Sequence, residues 1–249
     1  GTMTGRWYWG GYDEFGLDVT LTRVGTQPVV LGTDLYAMKS PGTSTLKIFG
    51  ANLPANLKPA DVDLGTGITV KRVVKATPSV ATVEVDLAKG LPVGLRDVSI
   101  ARATAVKALA VYDKIAYIKV TPDAAMARLG GTIAPKQFMQ FETIAYAAGD
   151  VSLGPINARW SMEEFFSTPD DDDIKFVGTL NDTGLFTPAL EGPNPARKKQ
   201  SNNYPTNNWG DIWVNAVYDV PGGETLKARS YLVVTIPEYV RYDQPEVSK

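Results

Sequence analysis

The sequence predicts an all-β chain: two β-sandwich domains preceded by a short β-hairpin or the remnant of an upstream β domain. Three observations predict it. Strand-sized apolar or alternating runs recur at intervals of about 8 to 15 residues, the spacing of sandwiches and barrels. No convincing ten-residue amphipathic helix interrupts them. Gly, Pro and Asn stand between the runs, where positive φ, fixed φ or side-chain hydrogen bonding makes turns.

The elements follow in order. Arg6–Trp9 and Leu17–Val24 read as strands joined across residues 10–16. In the second, Leu17, Val19, Leu21 and Arg23 share one side, a period-two pattern with a mostly apolar face. A lone hairpin is marginal in water, so residues 1–27 are expected to be the end of an upstream sheet domain. Gly1, Thr2 and Met3 read as a start ahead of a natural segment opening at Thr4, which makes a fragment of a larger polypeptide one reading.

Residues 28–116 form the first expected sandwich, an antiparallel one, with strands at Thr45–Phe49, Asp61–Leu64, Ile68–Ala76, Val80–Val85, Arg96–Ala101 and Val106–Val111. Val83 and Val85 should enter its core, while Glu84 faces water or an interdomain contact. Residues 117–249 form the second, with long polar loops. Its strands are expected at Tyr117–Thr121, Phe138–Ala147 and a run alternating through Ile156, Ala158 and Trp160. The clearest hairpin joins Ile212–Tyr218 to Leu226–Ile236 through Pro221-Gly222-Gly223-Glu224, and both its faces are substantially apolar. Trp160 is expected in the core, in the role of the indole of an immunoglobulin-like sandwich, without the accompanying disulfide.

Composition narrows function. The chain of 249 residues has no His and no Cys, which removes imidazole bases, thiol nucleophiles, the commonest soft metal ligands and any CxxCH haem attachment. No GxSxG elbow or SxxK pair is present. A hydrophobic fraction of 44% with 21% charged residues fits an ordinary globular chain. The net charge of −2, with both signs scattered, gives nucleic-acid binding no concentrated positive face. No apolar run is long enough for a membrane span.

Catalytic, cofactor and metal residues are accordingly expected to be absent from this chain. The run Asp170–Asp173 reads as a solvated acidic turn, with a calcium-assisting loop as its alternative, since four adjacent Asp side chains cannot all face one ion. The stretch 191–208, rich in Pro and Asn, reads as an excursion of the kind that often serves binding. Candidate partner-interface residues are Arg6, Trp7, Trp9, Trp213 and Arg197, because aromatic and Arg side chains supply large contact areas and frequent hot spots.

Several ordered fragments carry a resemblance. Gly5-Arg6-Trp7-Tyr8-Trp9-Gly10, Tyr117-Ile118-Lys119-Val120-Thr121-Pro122, Phe141-Glu142-Thr143-Ile144-Ala145-Tyr146 and Trp160-Ser161-Met162-Glu163-Glu164-Phe165 are among them. Asp172–Gly178, Gly184–Pro188, Gly192–Lys198 and Gly210–Val214 extend the series. Together they resemble the C-terminal β region of the α subunit of quinohemoprotein amine dehydrogenase. The resemblance implies an α subunit with two c-type haems in an N-terminal domain, a β-propeller subunit and a small subunit bearing cysteine tryptophylquinone, oxidising primary amines in the periplasm. It implies two immunoglobulin-like domains here, acting as a non-catalytic scaffold and subunit-contact region. The chain departs from the family's redox parts, having no CxxCH, no axial His and no Cys for the quinone. The alternative is a free-standing extracytoplasmic binding or adhesion module using residues 192–208 and exposed aromatics. A carboxylate-based glycan enzyme stands third, because the acids lie in local runs rather than as a spaced pair.

Overall fold

The computed structural model describes residues 2–9, 12–132, 134–165, 172–197 and 206–236. Apart from one short α-helix and two 3-10 turns, its regular elements are all strands. The chain divides into two compact units between Asp113 and Lys114.

The first unit opens on β1 (Thr2–Trp9) and β2 (Tyr12–Thr22), which pair antiparallel as a two-stranded sheet. Both strands are longer than the sequence suggests: Tyr12–Gly16, read as a connection, is already strand. Gly10 and Gly11, read as part of the turn, lie outside the described residues. The register places Met3 opposite Leu21, Gly5 opposite Val19 and Trp7 opposite Leu17, and residues directly opposite share a face. One face is therefore an apolar stripe. Met3, Trp7, Leu17 and Leu21 are all exposed on it.

The rest of this unit holds two four-stranded sheets. Its strands are β3 (Val29–Thr33), β4 (Ala37–Lys39), β5 (Gly42–Ala51), β6 (Val62–Asp63), β7 (Ile68–Ala76), β8 (Val80–Leu87), β9 (Gly94–Ile100) and β10 (Ala103–Tyr112). The sheets run β3-β5-β8-β7 and β4-β10-β9-β6. Alternation decides which side chains point inward: Ala81, Val83, Val85 and Leu87 of β8 are buried while the residues between them are half-exposed. They meet Leu46 and Ile48 from β5 and Val98, Ile100, Leu109 and Val111 from the other sheet in one core. A fully buried aliphatic side chain of this kind contributes about 1.5–3 kcal/mol. Glu84, between Val83 and Val85, turns outward and accepts two hydrogen bonds from Arg72 on β7, at 2.7 and 2.5 Å. That hydrogen bond lowers its pKa below the usual carboxylate value. Edge strand β7 carries two bulges and the basic residues Lys71, Arg72 and Lys75, devices that discourage further strand pairing.

Among its described residues, the second unit holds three sheets. Its elements are β11 (Tyr117–Thr121), β12 (Ala124–Arg128), β13 (Met139–Gln140), β14 (Glu142–Ala147), β15 (Val151–Ile156), β16 (Arg159–Glu164), α1 (Asp173–Phe176), β17 (Gly178–Leu180), β18 (Leu185–Pro188), β19 (Gly210–Asp219) and β20 (Thr225–Thr235). The sheets are β11-β14-β15, β13-β18-β17 and β12-β20-β19-β16. The hairpin β19–β20 pairs without a break from Gly210 opposite Val234 to Asp219 opposite Thr225. Ile212, Val214, Ala216, Leu232 and Val234 from it join Phe141, Phe186 and Val177 in the core.

Four expectations need correction. The run Phe138–Ala147 is two strands: Met139–Gln140 pairs with β18 and Glu142–Ala147 with β11 and β15, so the chain changes sheet at Phe141. Ile156 ends β15, whereas Trp160 stands on β16. Trp160 is half-buried rather than enclosed, packing on the core with its ring 6.4 Å from that of Phe141. Pairing is not wholly antiparallel, because β4 runs parallel to β10 and β12 parallel to β20.

Candidate functional site

The five residues singled out as partner contacts fall in three places. Arg6 and Trp7 lie on opposite faces of β1. Arg6 pairs with Asp18 across the hairpin at 3.0 Å and donates to the Gly16 carbonyl at 3.2 Å, while Trp7, 62% exposed, stands on the apolar stripe. Trp9 ends β1 opposite Tyr12; its side chain lies outside what the structure describes. A two-stranded sheet buries little by itself, and the stripe of Met3, Trp7, Leu17 and Leu21 is exposed.

Trp213 lies on the outward face of β19, at the centre of an aromatic and cationic cluster. Its ring is 5.1 Å from Phe165 and 5.7 Å, edge-on, from Tyr231. Phe165 also meets Tyr231 at 4.6 Å. The Arg229 guanidinium sits 3.9 Å from the Trp213 ring, a cation–π contact. The Tyr231 hydroxyl donates to Asp211 at 2.7 Å, and burial together with that bond pushes its pKa up to about 12. Arg229 and Tyr231 are two apart on β20, so the period of two puts them on one face with the outward residues of β19. The sequence reading missed them, although that same alternation could have found them.

Arg197 lies inside. It is 4% exposed, and its guanidinium is spent on internal partners: Nε donates to Asp172 at 3.0 Å and Nη2 to Asp173. Nη1 donates to the carbonyls of Asn207 at 2.8 Å and Trp209 at 2.5 Å. The other carboxylate oxygen of Asp173 accepts the Asp211 N–H at 2.7 Å. Two residues of the acidic run are thus turned inward onto a cation rather than solvated, Asp173 being 5% exposed. Asp170 and Asp171 lie outside the described residues, as do residues 198–205 of the polar excursion.

The described parts of that excursion are knit by Asn side chains. Asn194 and Thr206 exchange hydrogen bonds, the Asn194 carbonyl accepting from the Thr206 hydroxyl and the Asn194 N–H donating to the Thr206 carbonyl, each at 2.8 Å. Asn207 Oδ1 accepts the N–H groups of Gly192 and Asn208, and the Asn208 amide reaches the Leu190 carbonyl. Trp209, whose carbonyl Arg197 holds, is 44% exposed.

A second outward cluster was also missed. Tyr117 and Tyr146 stack at 5.0 Å with planes 7° apart, and the Lys119 ammonium lies 5.5 and 5.2 Å from their ring centres. The Tyr117 hydroxyl donates to Asp150 at 2.5 Å, which pushes its pKa up to about 12. Among the described residues, no group of three or more Asp and Glu side chains is placed to hold a metal ion, and no helix is long and apolar enough to cross a membrane.

Residues 22–113 match the family model described as quinohemoprotein amine dehydrogenase, alpha subunit domain III, and residues 118–247 match alpha subunit domain IV. No curated protein matches the chain. Among solved structures, mouse clustered PcdhgC3 EC1-3 is 13% identical with a TM-score of 0.31, over 89% of this chain and 72% of that one. The Escherichia coli adhesin FdeC is 13% identical with a TM-score of 0.27, over 84% of this chain and 63% of that one. Domains 5-6 of the S-layer protein SbsC are 14% identical with a TM-score of 0.27, over 85% of this chain and all of that one.

Proposed function

Because the chain belongs to the quinohemoprotein amine dehydrogenase alpha-subunit family, carrying its domains III and IV in that order, we propose that it is a non-catalytic scaffold and subunit-contact region of such an enzyme. The observation that carries this reading is the pair of consecutive matches, which together run from residue 22 to residue 247. Primary amine oxidation belongs to the whole complex in this reading. The chain's own residues do not fit either of the family's redox groups. A c-type haem is attached through cysteines and the quinone is cross-linked through one, and there is no Cys and no His here. No reaction step is therefore assigned to this chain.

In finer detail, residues 28–116 and 117–249 are each read as an immunoglobulin-like sandwich. Two four-stranded sheets sharing one core support this for the first. Residues 1–27 are read as the end of an upstream β domain, with the apolar stripe of Met3, Trp7, Leu17 and Leu21 as the face that domain covers. Arg6, Trp9 and the outward cluster around Trp213 complete the proposed contact residues. An N-terminal haem domain, a β-propeller subunit and a quinone-bearing small subunit are the proposed partners, and the periplasm the proposed location.

The test is to isolate the native gene product and measure its mass, its haem spectrum and the subunits that accompany it. Covalently bound haem in the same polypeptide, together with propeller and quinone subunits, is expected. A mature protein that never joins either subunit would reject the assignment.

A further inference from the structure

We propose that Arg197 is the keystone of a local opening unit in the second half of the chain, and that the unit opens in one step while the sheets behind it stay folded. Its members are the pair Asp172 and Asp173 and the segments Gly192–Arg197 and Thr206–Trp209, which meet the edge of β19 at Asp211. Each contributes a partner to the guanidinium: Asp172 and Asp173 from the first, Arg197 itself from the second, the Asn207 and Trp209 carbonyls from the third, while the Asp211 N–H holds the other oxygen of Asp173 from the sheet.

Two properties make the three segments one unit. None of the described residues of Gly192–Arg197 or Thr206–Trp209 belongs to the buried apolar core, which on this side begins at Ile212. These two segments are held instead by polar contacts, which water replaces on opening at little net cost, whereas Ile174 and Val177, which follow Asp173, pack on the core and stay with it. The charges then make the opening cooperative. Withdrawing Arg197 alone would take the cation from the carboxylates of Asp172 and Asp173, the latter 5% exposed, so no segment is well served by leaving singly. Local steps of this kind, well below global unfolding, are a general property of native proteins. The unit also carries Trp209, 44% exposed, whose carbonyl is one of the keystone's acceptors and whose ring centre lies 5.9 Å from the guanidinium.

Hydrogen exchange on the full chain, read by peptide, tests this. In Arg197→Gln, exchange at Lys175 and across Gly192–Arg197 and Thr206–Trp209 should accelerate together by about tenfold or more, while peptides within Ile212–Tyr218 and Leu226–Val234 change less than about twofold. Acceleration shared equally by both sets would overturn the proposal, as would acceleration of one segment alone or of none. Should that variant fail to fold, the wild-type chain in sub-denaturing urea provides the same decision. The amides of Lys175, which bonds the Asp172 carbonyl, of Asn194 and of Asp211, which bonds the Asp173 carboxylate, should converge on one opening free energy and one urea dependence, both below those of Val214 and Leu232. Separate values for the three amides, or values equal to those of Val214 and Leu232, would overturn it.

Discussion

The carboxylate of Asp173 fills the space that any side chain on Gly210 would need: a Cβ built there overlaps all three of its terminal atoms. Glycine at position 210 is thus explained by a residue 37 positions earlier, at the start of α1. Gly210→Ala should displace that carboxylate from Arg197 and from the Asp211 N–H, at a cost of about 1–3 kcal/mol to the closed arrangement. Asp173→Asn should act on the same contacts. The double variant is then expected to be little worse than the more damaging single one, since both substitutions break one network. Urea unfolding and amide exchange at Asp211 measure this. Fully additive losses would show that the glycine and the carboxylate act separately.

Trp160 and Phe141 meet in the core of the second unit, but they are buried to different degrees. Phe141 is 1% exposed, whereas Trp160 is half-buried, its indole lying against Gly184 where a Cβ would strike the ring. Phe141→Ala should therefore cost about 3–5 kcal/mol, the range for a large enclosed aromatic. Trp160→Ala should cost less, about 2–3 kcal/mol, because part of the vacated space is already open to water. Chemical denaturation of the full chain, following the transition of the second unit, gives both values. A larger loss for Trp160 would contradict this ranking.

Alternation made the regular ladders legible in the sequence. Val80–Leu87 and the pair β19–β20 owe their state to a buried face that repeats every second residue, and those residues are the core. Where the signal is not local, the reading failed. Ala124–Arg128 contains no β-branched residue and becomes a strand through parallel pairing with β20, a case of tertiary context overriding propensity. Val29–Thr33 escaped notice because it is short, contains Gly32 and breaks register between Val30 and Gly32. Arg197 looked like an accessible contact because it sits among Pro, Asn and Lys. Its partners Asp172 and Asp173 are 25 and 24 residues away, and no spacing rule joins them. The hairpin's apolar stripe, in contrast, was readable from Leu17, Val19 and Leu21 alone.

That stripe yields a prediction about stability and assembly together. Trp7 is 62% exposed and Leu17, opposite it, equally so. Trp7→Ala should leave the unfolding of both units within about 0.5 kcal/mol of wild type, as for a surface change away from a core. Under the proposal that residues 1–27 close an upstream β domain, the same substitution in the assembled subunit should weaken the packing of that domain, seen as its earlier thermal release. Loss of stability in the isolated chain would place Trp7 in a core of its own.

Alkaline titration separates the two perturbed phenols by cause. Tyr231 and Tyr117 are both pushed up to about 12 from 10.0, but burial is the largest cause for Tyr231 and the hydrogen bond to Asp150 the largest for Tyr117. A raised folded-state value means that the fold favours the neutral phenol. Each contribution to stability is therefore complete below pH 10 and is lost as the pH rises through the folded value, between about 10 and 12. Tyr231→Phe and Tyr117→Phe should each remove one late-titrating phenolate from the absorbance curve and flatten the fall in stability across that window. The carboxamide variants then divide the causes. Asp150→Asn, tolerated at a backbone φ of 59° because Asn readily adopts the left-handed region, should return Tyr117 most of the way to its ordinary value. Asp211→Asn should move Tyr231 only part of the way, since its surroundings still desolvate the phenolate. A full return of Tyr231 in Asp211→Asn, with Tyr117 unmoved in Asp150→Asn, would invert the assignment of causes.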